Sequence, residues 1–378
     1  MKILHLADTH LGYSAYRKIN KDGINQREVD IYDAFKQVID YSIKIKPDFI
    51  IHAGDLFDSV RPNNRAISVA LQEFIRLSNK EIPLIVISGN HETPKLRETG
   101  NIFRIFDHLE NIYPVYDNKY EILDFKKNNK TISFHALPQF LNKKEFDENL
   151  KKVKTKNISD YNFLILHGAV TGMKEFSMNE FNEHIIPKKI INDNFDYIAL
   201  GHYHKFTKIS ENTFYSGSSE KLSFSEANEK KGFIEIDLDK EITTKFIELK
   251  TRPMIDLKPI LCEDLSPEKI MKILSNTLSE LDPKNKIIRL RLDKIPNHIY
   301  RGLDFNNIRN LTNGSLHFEI NTNVIRKEGF EINNSIKIQS LANEFEKYLK
   351  TQKIENEKEI LALGNKYIQK IESEDEGK

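Results

Sequence analysis

The chain has 378 residues, 39% of them hydrophobic and 30% charged, with a formal net charge of +1. That length holds one large domain plus smaller modules; no run approaches the roughly 18 apolar residues of a membrane span, and no basic leader precedes the first strand-like run, so a cytoplasmic protein is expected. The near-zero charge gives no whole-molecule attraction to nucleic acid and leaves that task to local basic clusters.

Residues 1–7 form a short apolar strand that ends at Asp8-Thr9-His10-Leu11-Gly12, and a polar loop carrying Arg17, Lys18, Lys21 and Arg27 follows. From Glu28 a helical period sets in, with Val29, Tyr32, Phe35, Ile39 and Ile43 on one face, until Pro47 stops it. The plan repeats: an apolar run at 48–53 enters Gly54-Asp55-Leu56-Phe57-Asp58, then a helix over 64–79. It repeats again at 82–87, which runs into Ser88-Gly89-Asn90-His91-Glu92 and a helix over 101–109. Further strands are expected at 131–137, 161–166 (ending at His167-Gly168), 195–200, 214–217, 232–238 and 243–249. Alternating strands and helices with near-continuous apolar strands predict an α/β fold, a two-sheet sandwich flanked by helices, over residues 1–250.

Residues 251–321 read as a small α/β capping module, expected to be a DNA-binding domain. It has a strand at 255–261, a helix opened by Ser266-Pro267 and running to 281, a strand at 286–292, a short helix at 305–311 and a strand at 315–321. His298 and His317 are isolated there and read as structural, and the lone Cys262 reads as a small buried hydrophobe suited to a reducing compartment. Residues 322–334 form a polar linker and 335–372 a helical hairpin, with Leu341, Phe345 and Leu349 on one apolar stripe and Ile360, Leu363 and Tyr367 on the other. A hairpin this small cannot bury both stripes by itself. Residues 373–378 read as a disordered polar tail.

Five strand ends carry the same kind of chemistry: Asp8 with His10, Asp55, Asn90 with His91, His167, and the pair His202 and His204 in Gly201-His202-Tyr203-His204. Side chains at i and i+2 of an extended segment point the same way, and the carboxyl ends of strands in open α/β sheets gather functional groups. Of twelve histidines these five sit at strand ends, whereas His5, His52 and His135 lie within strands and read as core. Mixed His, Asp and Asn donors suit Mn, Fe or Zn. Seven candidates are too many for one ion and about right for two, spaced roughly 3.5–4 Å for an in-line phosphoryl displacement.

The order Asp-x-His, Gly-Asp, Gly-Asn-His, His-Gly, Gly-x-His-x-His resembles that of calcineurin-like metallophosphoesterases. By that resemblance Asp8, His10, Asp55 and His204 hold one metal, and Asp55, Asn90, His167 and His202 the other, with Asp55 as the bridge and a bridging hydroxide as nucleophile. The same resemblance implies that His91 is the catalytic residue, which would stabilise charge on phosphorus and help protonate the leaving oxygen. Residues 7–13 (Ala-Asp-Thr-His-Leu-Gly-Tyr), 53–57 (Ala-Gly-Asp-Leu-Phe), Arg61-Pro62, the run from Tyr215 to Phe224, Lys231-Gly232 and Arg252-Pro253-Met254 are similar to the SbcD-like DNA double-strand-break repair nucleases, the meiotic recombination eleven family, in its archaeal branch. Two positions depart from that pattern. Asp58 stands where such nucleases commonly carry His, which bears on handling of the leaving group or DNA end, and Glu92 stands for the usual Asp.

The resemblance implies a Mn-dependent nuclease, exonucleolytic on double-stranded ends and endonucleolytic on single strands, with two Mn2+ per chain (Mg, Fe or Zn being possible substitutes). It further implies DNA as substrate, a homodimer, a nucleoid-associated location, no membrane, and an ABC/SMC-like coiled-coil repair ATPase bound by the hairpin. DNA phosphates would meet Arg17, Lys18, Arg27, Arg61, Arg65, Lys95 and Arg97, which follow the metal-bearing strand ends. By the same resemblance the helices over 64–79 and 101–109 would carry the dimer contact, with Leu71, Ile75, Ile102, Ile105, Phe106 and Leu109 as candidate apolar faces. The competing readings are a phosphatase or cyclic-nucleotide phosphodiesterase on the same fold, and a non-catalytic scaffold for the ATPase.

Overall fold

The computed structural model describes residues 1–171, 183–191, 194–239, 241–325, 345, 349 and 360–368. β1 (Lys2–Leu6) leads to α1 (Gln26–Ile45), β2 (Phe49–His52) to α2 (Asn64–Ser78), and β3 (Leu84–Ile87) through a 3-10 turn (Ile102–Phe106) to β4 (Ile112–Val115). β5 (Glu121–Lys127), β6 (Lys130–Leu137), α3 (Lys143–Leu150), β7 (Tyr161–His167), β8 (Ala169–Val170), β9 (Ile185–Ile186), α4 (Lys188–Ile191) and β10 (Tyr197–Gly201) come next. β11 (Thr207–Ser210), β12 (Thr213–Tyr215), β13 (Gly232–Leu238) and β14 (Ile242–Glu248) complete two six-stranded sheets.

The first sheet has the order β14-β13-β1-β2-β3-β4 and the second β11-β12-β10-β7-β6-β5. β1 to β4 run parallel, as do β12, β10, β7 and β6. Alternation decides the layers. Leu4, Leu6, Ile50, Leu84 and Val86 face the helices with Phe35, Val38 and Phe74, while Ile3, Phe49, Ile51 and Ile85 turn the other way to meet Phe134, Phe163 and Tyr197 of the second sheet. Leu137, Leu164, Leu166 and Leu200 close the outer face of the second sheet under Phe140 and Phe146. Asn25 and Asn63 cap α1 and α2, each side chain accepting from a backbone N–H in the first turn, which stabilises a helix start by about 1 kcal/mol. The expected two-sheet sandwich is therefore the architecture found, with β4, β5 and β11 added at positions the periodicity did not mark.

Four expectations are corrected. The helix over 101–109 is a 3-10 turn in which Phe103 and Phe106 are fully buried, so Phe106 belongs to the core and offers nothing to a dimer face. The strand over 255–261 is two short ones, β15 (Met254–Asp256) and β16 (Ile260–Leu261), because Pro259 between them has no N–H to give a ladder. After α5 (Pro267–Leu281), β17 (Ile287–Pro296) extends past 292 through a register shift at Leu292/Ile295. After α6 (Asn297–Arg301) and α7 (Phe305–Leu311), β18 (His317–Ile325) runs four residues into the expected linker, held by its pairing with β17.

Of the expected hairpin, residues 360–368 are helical, and the Phe345 ring packs on Gly364, where a Cβ would come within 2.1 Å of it. Leu349 is buried, Ile360 is half-buried, and Leu363 and Tyr367 are 57% and 62% exposed. Leu341 and the 373–378 tail lie outside the described residues. Among the described residues no helix is long and apolar enough to cross a membrane.

His5 and His52 are buried in strands beneath the loops, as expected of core residues, and burial pulls both pKa values down to about 3. Thr9 Oγ1 donates to the Leu56 carbonyl (3.1 Å), so His52 Nε2 is the donor in its 3.0 Å bond to Thr9 and ties β2 to the first loop. A folded pKa below the unfolded value near 6.5 favours the native state above that pH and loses the advantage as pH falls towards 3. The melting temperature should therefore drop steeply between pH 6.5 and 3, and less steeply in a His5→Gln/His52→Gln double variant. Equal slopes in scanning calorimetry would contradict this account.

Candidate metal centre

Parallel pairing puts the carboxyl ends of β1, β2 and β3 at one edge of the first sheet and those of β7 and β10 at the matching edge of the second. Gly201 lies beside His167 in register, and His52 beside Leu6, so the loops after these strands begin at the same level. All seven candidate ligands reach this edge. Asp8, His10, Asp55, His167, His202 and His204 are buried, and Asn90 is half-buried.

The backbone bends hard to bring them there. Asp8, His10, Asp55 and His202 all have positive φ, at 52°, 46°, 54° and 100°. A non-glycine residue in such a conformation costs on the order of 1–3 kcal/mol and persists only where its surroundings over-determine it. Hydrogen bonds between the loops do so: Asp8 N–H donates to the Gly54 carbonyl (3.0 Å) and His10 N–H to the Asp55 carbonyl (3.1 Å). His202 N–H donates to both oxygens of Asp8, at 2.8 and 3.0 Å.

Asp55 lies at the middle. Its Oδ1 accepts from the His91 N–H at 3.0 Å, while its Oδ2 is buried and accepts no hydrogen bond. Around that bare oxygen stand His167 Nε2 at 3.2 Å and His10 Nε2 at 3.9 Å. His10 Nε2 lies 3.2 Å from His204 Nε2, and Asn90 Oδ1 lies 2.9 Å from His167 Nε2 and 3.2 Å from His202 Nδ1. Two convergent sets share Asp55, one with His10 and His91 and one with His167 and His202. A buried carboxylate oxygen with no donor, faced by imidazole nitrogens, fits a divalent cation held by nitrogen and oxygen ligands.

The outer contacts fix the imidazoles. His167 Nδ1 donates to the Ala53 carbonyl (2.8 Å) and His91 Nδ1 to the Asp58 carbonyl (3.0 Å), so in both rings Nε2 is the atom turned to the centre. Asp58 Oδ1 stands 3.3 Å from His10 Nδ1, Glu183 Oε1 2.7 Å from His202 Nε2, and Glu226 Oε1 3.2 Å from His204 Nδ1. Burial lowers the His167 pKa, but the Asp55 carboxylate outweighs it and pushes the value up to about 9. Burial raises Asp55 in its turn, yet the charges of His167, His91 and His10 hold it well below the usual carboxylate range. Glu92 is pushed up to about 8, by burial first and then by the Asp55 charge, and accepts from the Leu56 N–H at 3.0 Å.

The proposed DNA contacts divide. Arg27 is 1% exposed, paired with Asp30 at 2.7 Å and Glu220 at 3.6 Å, and donates to the Lys221 carbonyl; it is a structural residue, not a phosphate ligand. Arg17, Lys18, Arg61 and Lys95 are exposed; Arg65 is exposed and bridges to Glu28 at 2.8 Å. The side chain of Arg97 lies outside the described set. Sequence reasoning missed Glu183 and Glu226, which stand behind His202 and His204, and named Lys231 only as part of a motif, with no role for its bond to the His204 carbonyl. Glu226 sits between two stretches that the sequence resemblance singled out, and that was its one available signal.

Gly89 allows the bridge to stand where it does, since a Cβ there would lie 2.2 Å from Asp55 Oδ1 and 2.4 Å from Asp55 N. Gly89→Ala must displace the Asp55 carboxylate. It should weaken Mn2+ binding at least about tenfold, the scale of losing a group that orients a ligand, and calorimetric titration reads this directly. Parental affinity would show that the contact does not hold the carboxylate.

The model of the calcineurin-like phosphoesterase family matches residues 1–206. The chain is 31% identical over 244 residues to the DNA double-strand break repair protein Mre11 of Methanococcus maripaludis, covering 61% of this chain and 60% of that protein. It is 32% identical over 251 residues to the Mre11 protein of Methanocaldococcus jannaschii, covering 63% and 62%. A component of the SbcCD nuclease of Staphylococcus saprophyticus is 28% identical over 299 residues, covering 71% and 74%. The matched stretch thus spans about 60% of the length of the two archaeal relatives. A family match over more than half the chain, and a strand-end centre of aspartates, asparagine and histidines in the order that family uses, place this protein among the calcineurin-like phosphoesterases.

Proposed function

We propose that this protein is a divalent-metal-dependent DNA nuclease that processes double-strand breaks. The observation that carries the reading is the Asp55 carboxylate, shared by two convergent ligand sets with His91 beside it. Similarity to archaeal break-repair proteins and to a component of a bacterial nuclease supplies the substrate class. Asp8, His10, Asp55 and His204 hold one ion, and Asp55, Asn90, His167 and His202 the other, with Mn2+ the metal this nitrogen–oxygen set suits. When bound, the two ions supply an activated water and neutralise charge on the phosphate.

The protein's own groups do the rest. His91 lies edge-on to His10, with ring centroids 4.6 Å apart, and its Nδ1 is committed to the Asp58 carbonyl. Its Nε2 is therefore the atom that would meet the phosphate, and in the imidazolium form the Nε2–H would stabilise the charge that builds on phosphorus and pass its proton to the leaving oxygen. Asp58 sets the position of that ring through its carbonyl and places its carboxylate by His10, where it bears on the departing strand end. Exposed Arg17, Lys18, Arg61 and Lys95 follow the site-bearing strand ends in sequence and would hold DNA through phosphates. Linear duplex is degraded from its ends and single strands are cut internally.

Cleavage of linear duplex and circular single-stranded DNA with Mn2+ tests this reading in three proteins. The parent should cut both, and His91→Ser should lose at least about a hundredfold in rate, the range of general acid catalysis, while still binding metal. Asp58→His should shift the ratio of end-directed to internal cleavage. A parent that leaves DNA intact but hydrolyses small phosphoesters would move the protein to another phosphoesterase activity.

The bacterial relative is named as one part of a nuclease with more than one component, and Leu363 and Tyr367 are large apolar side chains left exposed among the described residues. We read the helical segment with Phe345, Leu349 and Ile360 as the seat for a coiled-coil ABC/SMC-like ATPase, with Leu341 on the same stripe by sequence. Ile75 is exposed and Leu71, Ile102, Ile105 and Leu109 are half-buried, and these would form the homodimer face. Truncation after residue 334 should abolish ATPase capture in a pull-down and spare Mn-dependent cleavage. Capture at the parental level would exclude this seat.

A further inference from the structure

His204 is gripped at both its ring and its carbonyl by one short stretch that follows it. Its Nδ1 faces Glu226 Oε1 at 3.2 Å, the other Glu226 oxygen meets Lys231 Nζ at 2.7 Å, and Lys231 Nζ donates to the His204 carbonyl at 2.8 Å. Ring, carboxylate, ammonium and backbone close a loop, in which Glu226 is 6% and Lys231 2% exposed. A carboxylate only accepts, so Nδ1 carries the hydrogen and the Nε2 lone pair is directed at the centre, 3.2 Å from His10 Nε2.

The stretch is pressed onto the His204 backbone. Ser218 N–H donates to the same carbonyl at 2.9 Å, and Gly217, at φ 77°, has the Phe206 nitrogen and the His204 carbonyl oxygen within 2.8 Å of where a Cβ would stand. Neutralising Lys231 does not by itself require Glu226, because Glu229 lies 2.9 Å from the same ammonium. Burying a second carboxylate is costly unless every bond to it is used. Glu226 uses them: besides His204 and Lys231 it accepts from the Leu222 N–H at 3.2 Å. The pair is thus arranged around the imidazole and not only around the lysine.

We propose that Glu226 and Lys231 are the positioning residues of the metal site that contains His204, fixing its tautomer and ring orientation before any ion arrives. The inference rests on the two-ion reading given above. Glu226 fixes the ring from its far nitrogen, Lys231 fixes the carbonyl and the carboxylate together, and removing either opens the loop.

The test uses the full chain and Mn2+ alone as the probe, with bound ions counted by electron paramagnetic resonance and melting temperature followed in parallel. The parent should take up two Mn2+. Glu226→Gln, nearly isosteric, and Lys231→Met should each weaken one of the two sites by about 10–100-fold, the usual cost of losing an outer partner of a metal-bound histidine. Glu220→Gln is the control, since Glu220 belongs to the same stretch but faces Arg27; it should lower the melting temperature and leave both Mn2+ affinities at the parental value. Parental affinity at both sites in folded Glu226→Gln, with only its melting temperature lowered, would overturn the proposal and leave the two-ion reading intact. A parent that takes up no pair of ions would instead remove the two-ion reading, and the proposal with it. If Lys231→Met does not fold, Glu226→Gln decides alone.

Discussion

Everything at the site depends on keeping one buried carboxylate, that of Asp55, bare on one side. Its Oδ1 is satisfied by the His91 N–H, while its Oδ2 is buried among imidazoles with His167 Nε2 at 3.2 Å and no well-aligned hydrogen bond. An uncompensated buried charge is expensive, and a protein keeps one only where something else supplies the compensation. In this chain the charges of three nearby histidines offset it, and a cation takes their place when one is bound. The strained residues Asp8, His10, Asp55 and His202, and the missing side chain of Gly89, all serve that arrangement.

Around this centre lies a second ring of groups that never reach it. Backbone carbonyls of Ala53 and Asp58 fix His167 and His91, whereas carboxylates of Asp58, Glu183 and Glu226 stand behind His10, His202 and His204. Carbonyls set orientation, while carboxylates also make the ring a stronger electron donor. Asp58 serves twice, with its carbonyl for His91 and its carboxylate for His10, which gives a physical content to its departure from the histidine more usual at that position.

What the sequence disclosed follows from how each signal is stored. The five strand ends were legible because each puts its polar residues directly after a short apolar run, and parallel pairing then brings those ends together without further instruction. The sandwich was legible because alternate residues of β1 to β3 must face different layers. Arg27 was not legible: it follows a metal-bearing loop like any phosphate-binding arginine, and only Asp30, Glu220 and the Lys221 carbonyl, the last two far along the chain, show it to be buried. The 3-10 turn hid behind an apolar pattern because Phe103 and Phe106, three apart, suit its three-residue period as well as they suit an α-helix. Glu226 was hidden for the same reason as Arg27, since its purpose lies in a histidine 22 residues away.

The distances along the chain carry one more implication. His10 and His204, whose ring nitrogens nearly touch, are separated by 194 residues, and the carboxylate behind His204 comes later still. A ribosome that has delivered the first three strands and their loops has made three of the four residues proposed for one ion and two of the four proposed for the other. That partial chain carries Asp8, His10, Asp55, Asn90 and His91, and His167, His202 and His204 join them only later, when β7 and β10 enter the second sheet. Completion of both proposed sets is thereby tied to completion of the second sheet, through topology alone.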